Sequence, residues 1–135
     1  MRISIEYDTS RDPPAPVVLM GVGSPINEAN VLVPFLVDSG ADLSVIPREV
    51  ISSLSLQRVG RIQVQGFGGE ASFEYFYAVR INFMGRGTIV RVIPGEEGIL
   101  GRDLLQSLVC RLDGPRSALT LTLRRSLRFG RGQLS

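Results

Sequence analysis

The amino-acid sequence predicts a mostly-β protein with one short helix near its C-terminal end. Fifteen glycines and eight prolines are spread along the 135 residues, which favours many short strands and turns over long helices. Several segments alternate apolar and polar residues, the period of a strand with one buried face. A chain of this length, with 44% apolar residues, fits one globular domain spanning residues 1–135.

The N-terminal third contains three predicted strands. Ile3 and Ile5 alternate with polar neighbours, which indicates a first strand. Residues 17–22 form a second strand that ends at a Gly-Ser-Pro turn. Residues 31–37 are a continuous apolar run, expected for a central strand covered on both faces, although Pro34 argues against complete pairing there.

The central part predicts a long hairpin. Residues 48–54 fit either a short helix or a connecting strand, and the pattern does not decide between them. Residues 61–83 alternate on both sides of a glycine-rich tip, which is typical of two antiparallel strands. Residues 88–93 add a further strand.

Near the C-terminus the pattern changes from strand to helix and back again. Asp103 predicts the cap of a short helix with Leu104, Leu105 and Leu108 on one face. Residues 119–123 then alternate leucine and threonine, as in a half-buried strand.

The absence of two residue types excludes several kinds of chemistry. The sequence has no histidine, so Ser-His-Asp and Cys-His catalysis and histidine-bound metals are excluded. It has no lysine for Schiff-base chemistry or for a Walker-A phosphate site. Cys110 is the one cysteine, and we interpret it as a small buried hydrophobic residue. Any catalysis must therefore use carboxylates, hydroxyls, arginine and backbone groups.

The apolar segments are too short to cross a membrane. None approaches the roughly 18–20 residues that a spanning helix needs. The first residues, MRISIEYD, lack the apolar core of a secretory signal. We expect a cytoplasmic protein with no membrane partner.

The positive charges are concentrated toward the C-terminus. All fifteen are arginines, and residues 111–135 carry six of them against one acid, Asp113. Nucleic-acid binding through this basic region is one interpretation. A solvated strand edge followed by a flexible basic tail, residues 124–135, is favoured because few aromatic residues are interleaved with the arginines. Nucleic acid is therefore an unlikely partner by sequence.

An acidic residue interrupts the most apolar part of the chain. Asp38 directly follows the run VPFLV and is itself followed by Ser39 and Gly40. Desolvation disfavours an ionised carboxylate, and acids in such surroundings cluster at functional sites. Asp-Ser-Gly is also common turn chemistry, so this tripeptide alone does not decide.

Two further motifs follow Asp38 in a fixed order. LVDSGADLSVIP is followed by the hairpin tip QGFGGE, and then by ILGRDLL before the predicted helix. In this order the chain resembles the retropepsin-like aspartic peptidases, the family of retroviral proteases and their cellular and bacterial relatives. The resemblance covers a core of roughly residues 17–123.

The resemblance implies a closed acid-protease β-barrel that functions as a homodimer. Asp8-Thr9-Ser10 lacks the glycine of the motif, so each chain supplies one catalytic acid, Asp38. Two copies of Asp38 would share a proton and activate water for attack on a peptide bond in an extended, largely apolar polypeptide. This mechanism needs no metal and no cofactor. A non-catalytic peptide-binding module of the same fold is the alternative.

The resemblance also assigns roles around Asp38. Ser39 bonds the backbone of the opposing subunit, and Gly40 lets the substrate backbone approach closely. Ala41 and Asp42 bind the substrate. Gly101 and Arg102 support this loop, with Arg102 pairing with Asp42.

The glycine-rich hairpin tip completes the implied substrate site. Gly66, Phe67, Gly68 and Gly69 correspond to the flap that closes over the substrate. Asp103 departs from many retroviral enzymes, which have asparagine there. Retroviral dimers are held by interleaved terminal strands, and the sequence leaves open whether residues 1–7 and 117–124 do the same.

Overall fold

The computed structural model describes residues 1–27, 30–65 and 67–123, so Gly66 and the tail 124–135 lie outside the described residues. The strands are β1 (Arg2–Glu6), β2 (Val17–Gly23), β3 (Asn30–Val37), β4 (Val45–Pro47), β5 (Arg58–Gln65), β6 (Ala71–Phe83), β7 (Arg86–Gly95), β8 (Gly98–Leu100), β9 (Leu108–Asp113) and β10 (Ala118–Leu123). The helices are α1 (Arg48–Ser53) and α2 (Arg102–Leu105), and Phe67–Gly69 form a 3-10 turn.

Six of the strands form a closed barrel. Their order is β2-β3-β8-β4-β7-β6, and the barrel closes where β2 pairs with β6, with Gly21 opposite Asn82. β5 pairs with β6 outside this ring, so the β5–β6 hairpin extends beyond the barrel. The prediction of a mostly-β fold with a closed barrel is confirmed.

The barrel interior holds the main hydrophobic core. Alternate residues of each strand point inward, as the period-two pattern requires. The fully or nearly fully buried residues of the ring are Val18, Met20, Val22, Val33, Phe35, Ile46, Val79, Ile81, Val92 and Leu100. The prediction that residues 31–37 are covered on both faces is wrong, because Leu32 and Pro34 are exposed on the outer face of the barrel. Pairing with β8 begins only at Phe35, one residue after Pro34.

The terminal strands form a second sheet within the same chain. Its order is β1-β10-β9, so both edges of β10 are occupied. Leu119 and Leu121 are completely buried, and Ile3 and Ile5 pack against the core, which explains the alternation in both strands. Cys110 lies half-buried in β9 and packs against the same core, and its burial raises the pKa of the thiol.

The helices differ from the sequence prediction in two respects. Residues 48–54, left open between helix and strand, contain α1, so the prediction of one short helix was incomplete. The predicted cap at Asp103 is wrong: α2 begins after Gly101, and the Asp103 carboxylate binds Ser44 instead. The helix ends at Leu105, and Leu108 belongs to β9, where it pairs with Leu123. No helix in the described part of the chain is long and apolar enough to span a membrane.

Candidate active site

Asp38 lies at the end of β3 in a loop that is fixed by its own backbone. The Asp38 N–H donates to the Leu100 carbonyl at 3.0 Å, which ties the loop to β8. The Ala41 N–H donates to the Asp38 carbonyl at 3.2 Å, and the Gly40 N–H donates to Asp38 Oδ1 at 2.9 Å. The carboxylate is half-buried, and one of its oxygens is held in a defined direction.

Gly40 is favoured here by space and not by its φ angle. Gly40 is not among the described residues with positive φ. A Cβ at this position would lie 3.1 Å from Asp38 Oδ1, which is a tighter contact than most side chains make. The glycine therefore leaves room beside the carboxylate.

The segment that follows β8 makes hydrogen bonds to the Asp38 loop. The Arg102 N–H donates to the Ala41 carbonyl at 2.8 Å, and the Arg102 guanidinium donates to the Ser39 carbonyl at 2.6 Å. The same guanidinium also bonds the Asp42 carboxylate, so the pairing that the resemblance implies is present. A charged hydrogen bond to a backbone carbonyl is stronger than a neutral one, so Arg102 restrains the loop directly.

Gly101 permits this close approach. A Cβ on Gly101 would lie 2.8 Å from backbone atoms of Leu43 and 2.9 Å from the Ala41 carbonyl oxygen. Backbone atoms cannot rotate away as a flexible side chain can. Only glycine fits between the two chain segments without moving one of them.

The completely buried Ser44 and the half-buried Asp103 join the same two segments. The N–H and the hydroxyl of Ser44 donate to the two carboxylate oxygens of Asp103, at 3.0 and 2.7 Å. Ser44 Oγ also accepts a hydrogen bond from the Gly101 N–H at 3.0 Å. The Leu104 N–H donates to Asp103 Oδ1 at 2.9 Å. Sequence reasoning missed Ser44, although a lone hydroxyl in the apolar run LSVI needs a partner if it is buried.

The hairpin tip is described only in part. Gly68 and Gly69 have positive φ angles of 87° and 83°, and the Gln65 side chain donates to the Gly69 carbonyl at 3.2 Å. Gly66 and the Phe67 side chain lie outside the described residues. Among the residues that are described, no hydrogen bond or ion pair joins Gly68 or Gly69 to residues 38–42.

The structure therefore brings together part of the predicted set. Asp38, Ser39, Gly40, Ala41 and Asp42 form one loop, which Gly101 and Arg102 hold in place. A cavity of about 360 Å³ lies elsewhere, between Ile81, Phe83, Leu104 and Leu123, and none of the predicted site residues lines it. The Asp38 loop itself forms an open surface on the single chain.

Asp8, in the only other Asp-Thr/Ser sequence, sits in different surroundings. Its carboxylate accepts hydrogen bonds from the Ser10 N–H at 3.0 Å and the Ser10 hydroxyl at 2.6 Å. These bonds, with Arg11 nearby, hold the pKa of Asp8 below its usual value. Within residues 1–27, 30–65 and 67–123, no group of three potential metal ligands is close enough to hold an ion.

A family model described as aspartyl protease matches residues 24–104, which is more than half of the chain and includes the Asp38 loop and the Gly101–Arg102 segment. The chain belongs to the aspartyl protease family. Among curated protein sequences there is no match. The resemblance to retropepsin-like enzymes that the motifs indicated is confirmed at the level of family and fold.

Solved aspartyl proteases share the fold. The EIAV protease complexed with the inhibitor HBY-793 is 25% identical, with a TM-score of 0.55 over 76% of this chain and 92% of that one. A retropepsin-like aspartic protease from Rickettsia conorii is 19% identical, with a TM-score of 0.62 over 90% and 89%. The simian foamy virus (mac) protease is 12% identical, with a TM-score of 0.52 over 67% and 92%. The last two likenesses show the fold alone.

Proposed function

We propose that the protein is an aspartic endopeptidase in which two copies of the chain each supply one Asp38 carboxylate. The observation that carries this proposal is the fixed and accessible carboxylate. Asp38 Oδ1 is oriented by the Gly40 N–H, and within the described part of the chain Oδ2 accepts no hydrogen bond. A second carboxylate can therefore approach from the open side.

The chemistry follows from placing two carboxylates close together. Two such groups cannot both ionise without strong repulsion, so the pair holds one proton and titrates as a unit. The ionised Asp38 takes a proton from a bound water, which attacks the peptide carbonyl. The protonated Asp38 donates its proton to the carbonyl oxygen, which gives a tetrahedral gem-diol. The other Asp38, which now carries the proton taken from water, then protonates the leaving amine, while the first takes a proton back from the gem-diol as the C–N bond breaks.

The remaining loop residues bind and align the two copies and the substrate. Ser39 donates its hydroxyl to the partner backbone beneath the acids, and Gly40 and Ala41 lie against the substrate main chain. Asp42 accepts a main-chain N–H of the substrate while Arg102 holds its carboxylate in place.

The walls of the site suit an extended and largely apolar peptide. Val45 is paired in the sheet with both Ile93 and Ile99, and all three side chains are half-buried. The tip Gly66–Phe67–Gly68–Gly69 closes over the peptide as a flap. Hairpins of this kind exclude water and complete a catalytic site when they close.

We infer that the dimer contact uses surfaces other than the edges of β10. β1 and β9 occupy both of these edges within one chain, so a terminal strand of a partner cannot add to β10 unless β1 leaves. In the described sheet the outer edges of β1 and β9 remain open. We propose that one of them, with the Asp38 loop, forms the contact.

An activity assay with matched aspartate variants tests the proposal. The wild type, Asp38→Asn and Asp8→Asn are incubated with a peptide library from about pH 4 to about pH 7, with and without pepstatin. We expect pepstatin-sensitive cleavage by the wild type and by Asp8→Asn, and a loss of about 10²-fold or more in Asp38→Asn. Equal cleavage by Asp38→Asn would overturn the proposal, and binding of peptides without cleavage would favour the non-catalytic module.

A further inference from the structure

Two arginines of β5 stack on two aromatic rings of β6. The Arg58 guanidinium carbon lies 3.9 Å from the centre of the Tyr75 ring, and that of Arg61 lies 4.6 Å from the centre of the Phe73 ring. Both distances are within the range of a cation–π contact. We call these four residues the Arg–aromatic face.

A β-bulge places the two arginines on the same side of the hairpin. Arg61 is opposite Tyr75 and Arg58 is opposite Tyr77, although the two arginines are three residues apart. The register shift between Arg58 and Gly60 inserts Val59 into β5. Without this extra residue, alternation would point Arg58 and Arg61 to opposite faces, so the bulge creates the pair.

The Arg–aromatic face is uncovered because the hairpin extends beyond the barrel. Alternation along β6 puts Phe73 and Tyr75 on the same face as Val79, which is buried in the barrel. Residues 71–76 pair only with β5 and so lie outside the barrel wall, and with the arginines stacked on them Phe73 is still 61% exposed and Tyr75 39% exposed. Two exposed rings at alternate positions form a surface that a ligand can contact.

The two guanidinium groups also lack carboxylate partners. Within residues 1–27, 30–65 and 67–123, ion pairs involve Arg11, Arg48, Arg102 and Arg116, but neither Arg58 nor Arg61. The acid Glu74 points to the opposite face of the hairpin, where it pairs with Arg48. The Arg61 guanidinium stacks through its flat face and keeps its N–H edge available for a bidentate bond to a carboxylate. The Arg58 guanidinium also hydrogen-bonds the Tyr77 side chain, which raises the pKa of Arg58, and its remaining N–H groups can bind a carboxylate.

The spacing of this face suits an extended peptide. Side chains at alternate positions of a strand are about 7 Å apart, which is also the spacing of alternate side chains in an extended ligand. β5 is the last strand of its sheet, so its outer edge offers backbone groups to which a peptide strand can bond. Two arginines on one hairpin are few for a nucleic acid, where several phosphates are usually neutralised.

We propose that the Arg–aromatic face binds acidic side chains at alternate positions of the polypeptide substrate, with their carboxylates on Arg58 and Arg61 and their stems against Phe73 and Tyr75. This inference rests on the proposed function, since it names the chemistry of the substrate. Such binding gives the enzyme a preference for acidic substrate residues away from the bond that is cleaved, in addition to apolar substrate residues near Asp38.

The test measures binding separately from cleavage. Asp38→Asn protein is titrated into two dye-labelled extended peptides that alternate apolar residues with glutamate or with glutamine, and fluorescence anisotropy is recorded. We expect the glutamate peptide to bind roughly three- to tenfold more tightly, and salt to remove this difference. When Arg58→Gln and Arg61→Gln are added, the two peptides should bind with equal affinity. Arg111→Gln, which removes an exposed strand arginine of the other sheet, should leave the difference in affinity unchanged.

Charge reversal keeps the proposal falsifiable if the double variant folds poorly. Arg61→Glu should lower binding of the glutamate peptide and raise binding of a peptide with lysine at the same positions. Equal binding of the glutamate and glutamine peptides by the Asp38→Asn protein would overturn the inference. So would binding of oligo(dT) that is tighter than binding of the glutamate peptide and depends on Arg58 and Arg61. Because the binding assay uses an Asp38→Asn background, its outcome is independent of whether the wild type cleaves peptides.

Discussion

The Asp38 loop and the β5–β6 hairpin are the two regions proposed to meet the substrate, and they are built in opposite ways. Residues 38–44 are held by backbone bonds to Leu100 and Arg102, by the Arg102 guanidinium and by the hydrogen bonds between the buried Ser44 and Asp103. For residues 71–76 of the hairpin, the described side-chain contacts to the rest of the chain are a 3.6 Å ion pair between Glu74 and Arg48 and a ring contact between Phe76 and Arg91.

The difference corresponds to two requirements of catalysis. Groups that act on the reacting bond must be held in place before the substrate arrives, because reordering these groups during the reaction slows it. A segment that closes over a substrate must be able to move at little cost. For the proposed peptidase, the hydrogen-bond network of the loop would meet the first requirement, and the extension of the hairpin beyond the barrel would meet the second.

The largest effect is expected from glycine substitutions that compare the two regions directly. Gly101→Ala forces a Cβ against backbone atoms of Leu43 and Ala41, and should lower the free energy of unfolding by about 3 kcal/mol. Gly68→Ala has open space around it but a φ of 87°, and should cost only about 1 kcal/mol. Urea denaturation of both variants gives the comparison, and equal losses would contradict it.

Removing the acceptor of the buried Ser44 should have the next largest effect. Asp103→Ala leaves the N–H and hydroxyl of the fully buried Ser44 without their acceptor, which should cost about 2 kcal/mol. The matched control is Asp113→Ala, which removes an aspartate that bonds only the nearby Arg116 in an exposed turn. If both variants unfold at the same urea concentration, the Ser44–Asp103 pair does not hold the loop.

Breaking the ion pair at the hairpin should change stability very little. Arg48→Gln removes the contact with Glu74, but the arginine is mostly exposed, so we expect a loss below about 1 kcal/mol. A double-mutant cycle with Glu74→Gln measures the coupling between the two side chains. A coupling as large as the loss in Asp103→Ala would show that the hairpin is held as firmly as the loop.

The smallest effect is expected at Asp8, which lies in neither region. Its pKa is lowered from 3.8 by the Ser10 hydrogen bonds, so its stabilising contribution is present above that value and is lost as the pH falls through the lower folded-state pKa. Asp8→Asn should therefore lower the melting temperature slightly at neutral pH and leave it unchanged in stronger acid. A difference that grows as the pH falls would contradict this sign.

The sequence predicted the features that depend on local pattern. The alternation in residues 119–123 and in the long hairpin gave strands with the observed bounds to within a few residues, because burial of one face repeats every second residue. The family motifs predicted that Asp42 meets Arg102. The strands follow from a local periodicity, and the pairing of Asp42 with Arg102 follows from motifs that the family shares.

The rest depended on partners that lie far apart in the sequence. Asp103 looked like a helix cap, and its real partner, Ser44, is 59 positions away. The strand β3 looked buried on both faces, because an apolar run does not show that the barrel leaves one face to solvent. The pairing of β1 with β10 joins the two ends of the described chain, which no local pattern reveals.

The central claim is that one active site needs Asp38 from two chains, and mixing two forms of the protein tests it most directly. Wild-type chains are refolded with roughly a tenfold excess of Asp38→Asn chains, and peptide cleavage is measured per wild-type chain. If the site forms between copies, random pairing leaves few wild-type pairs, and activity falls to roughly a tenth of that in an equal amount of wild type alone. Activity per wild-type chain that is unaffected by the excess would show that a single chain is sufficient, and would contradict the account.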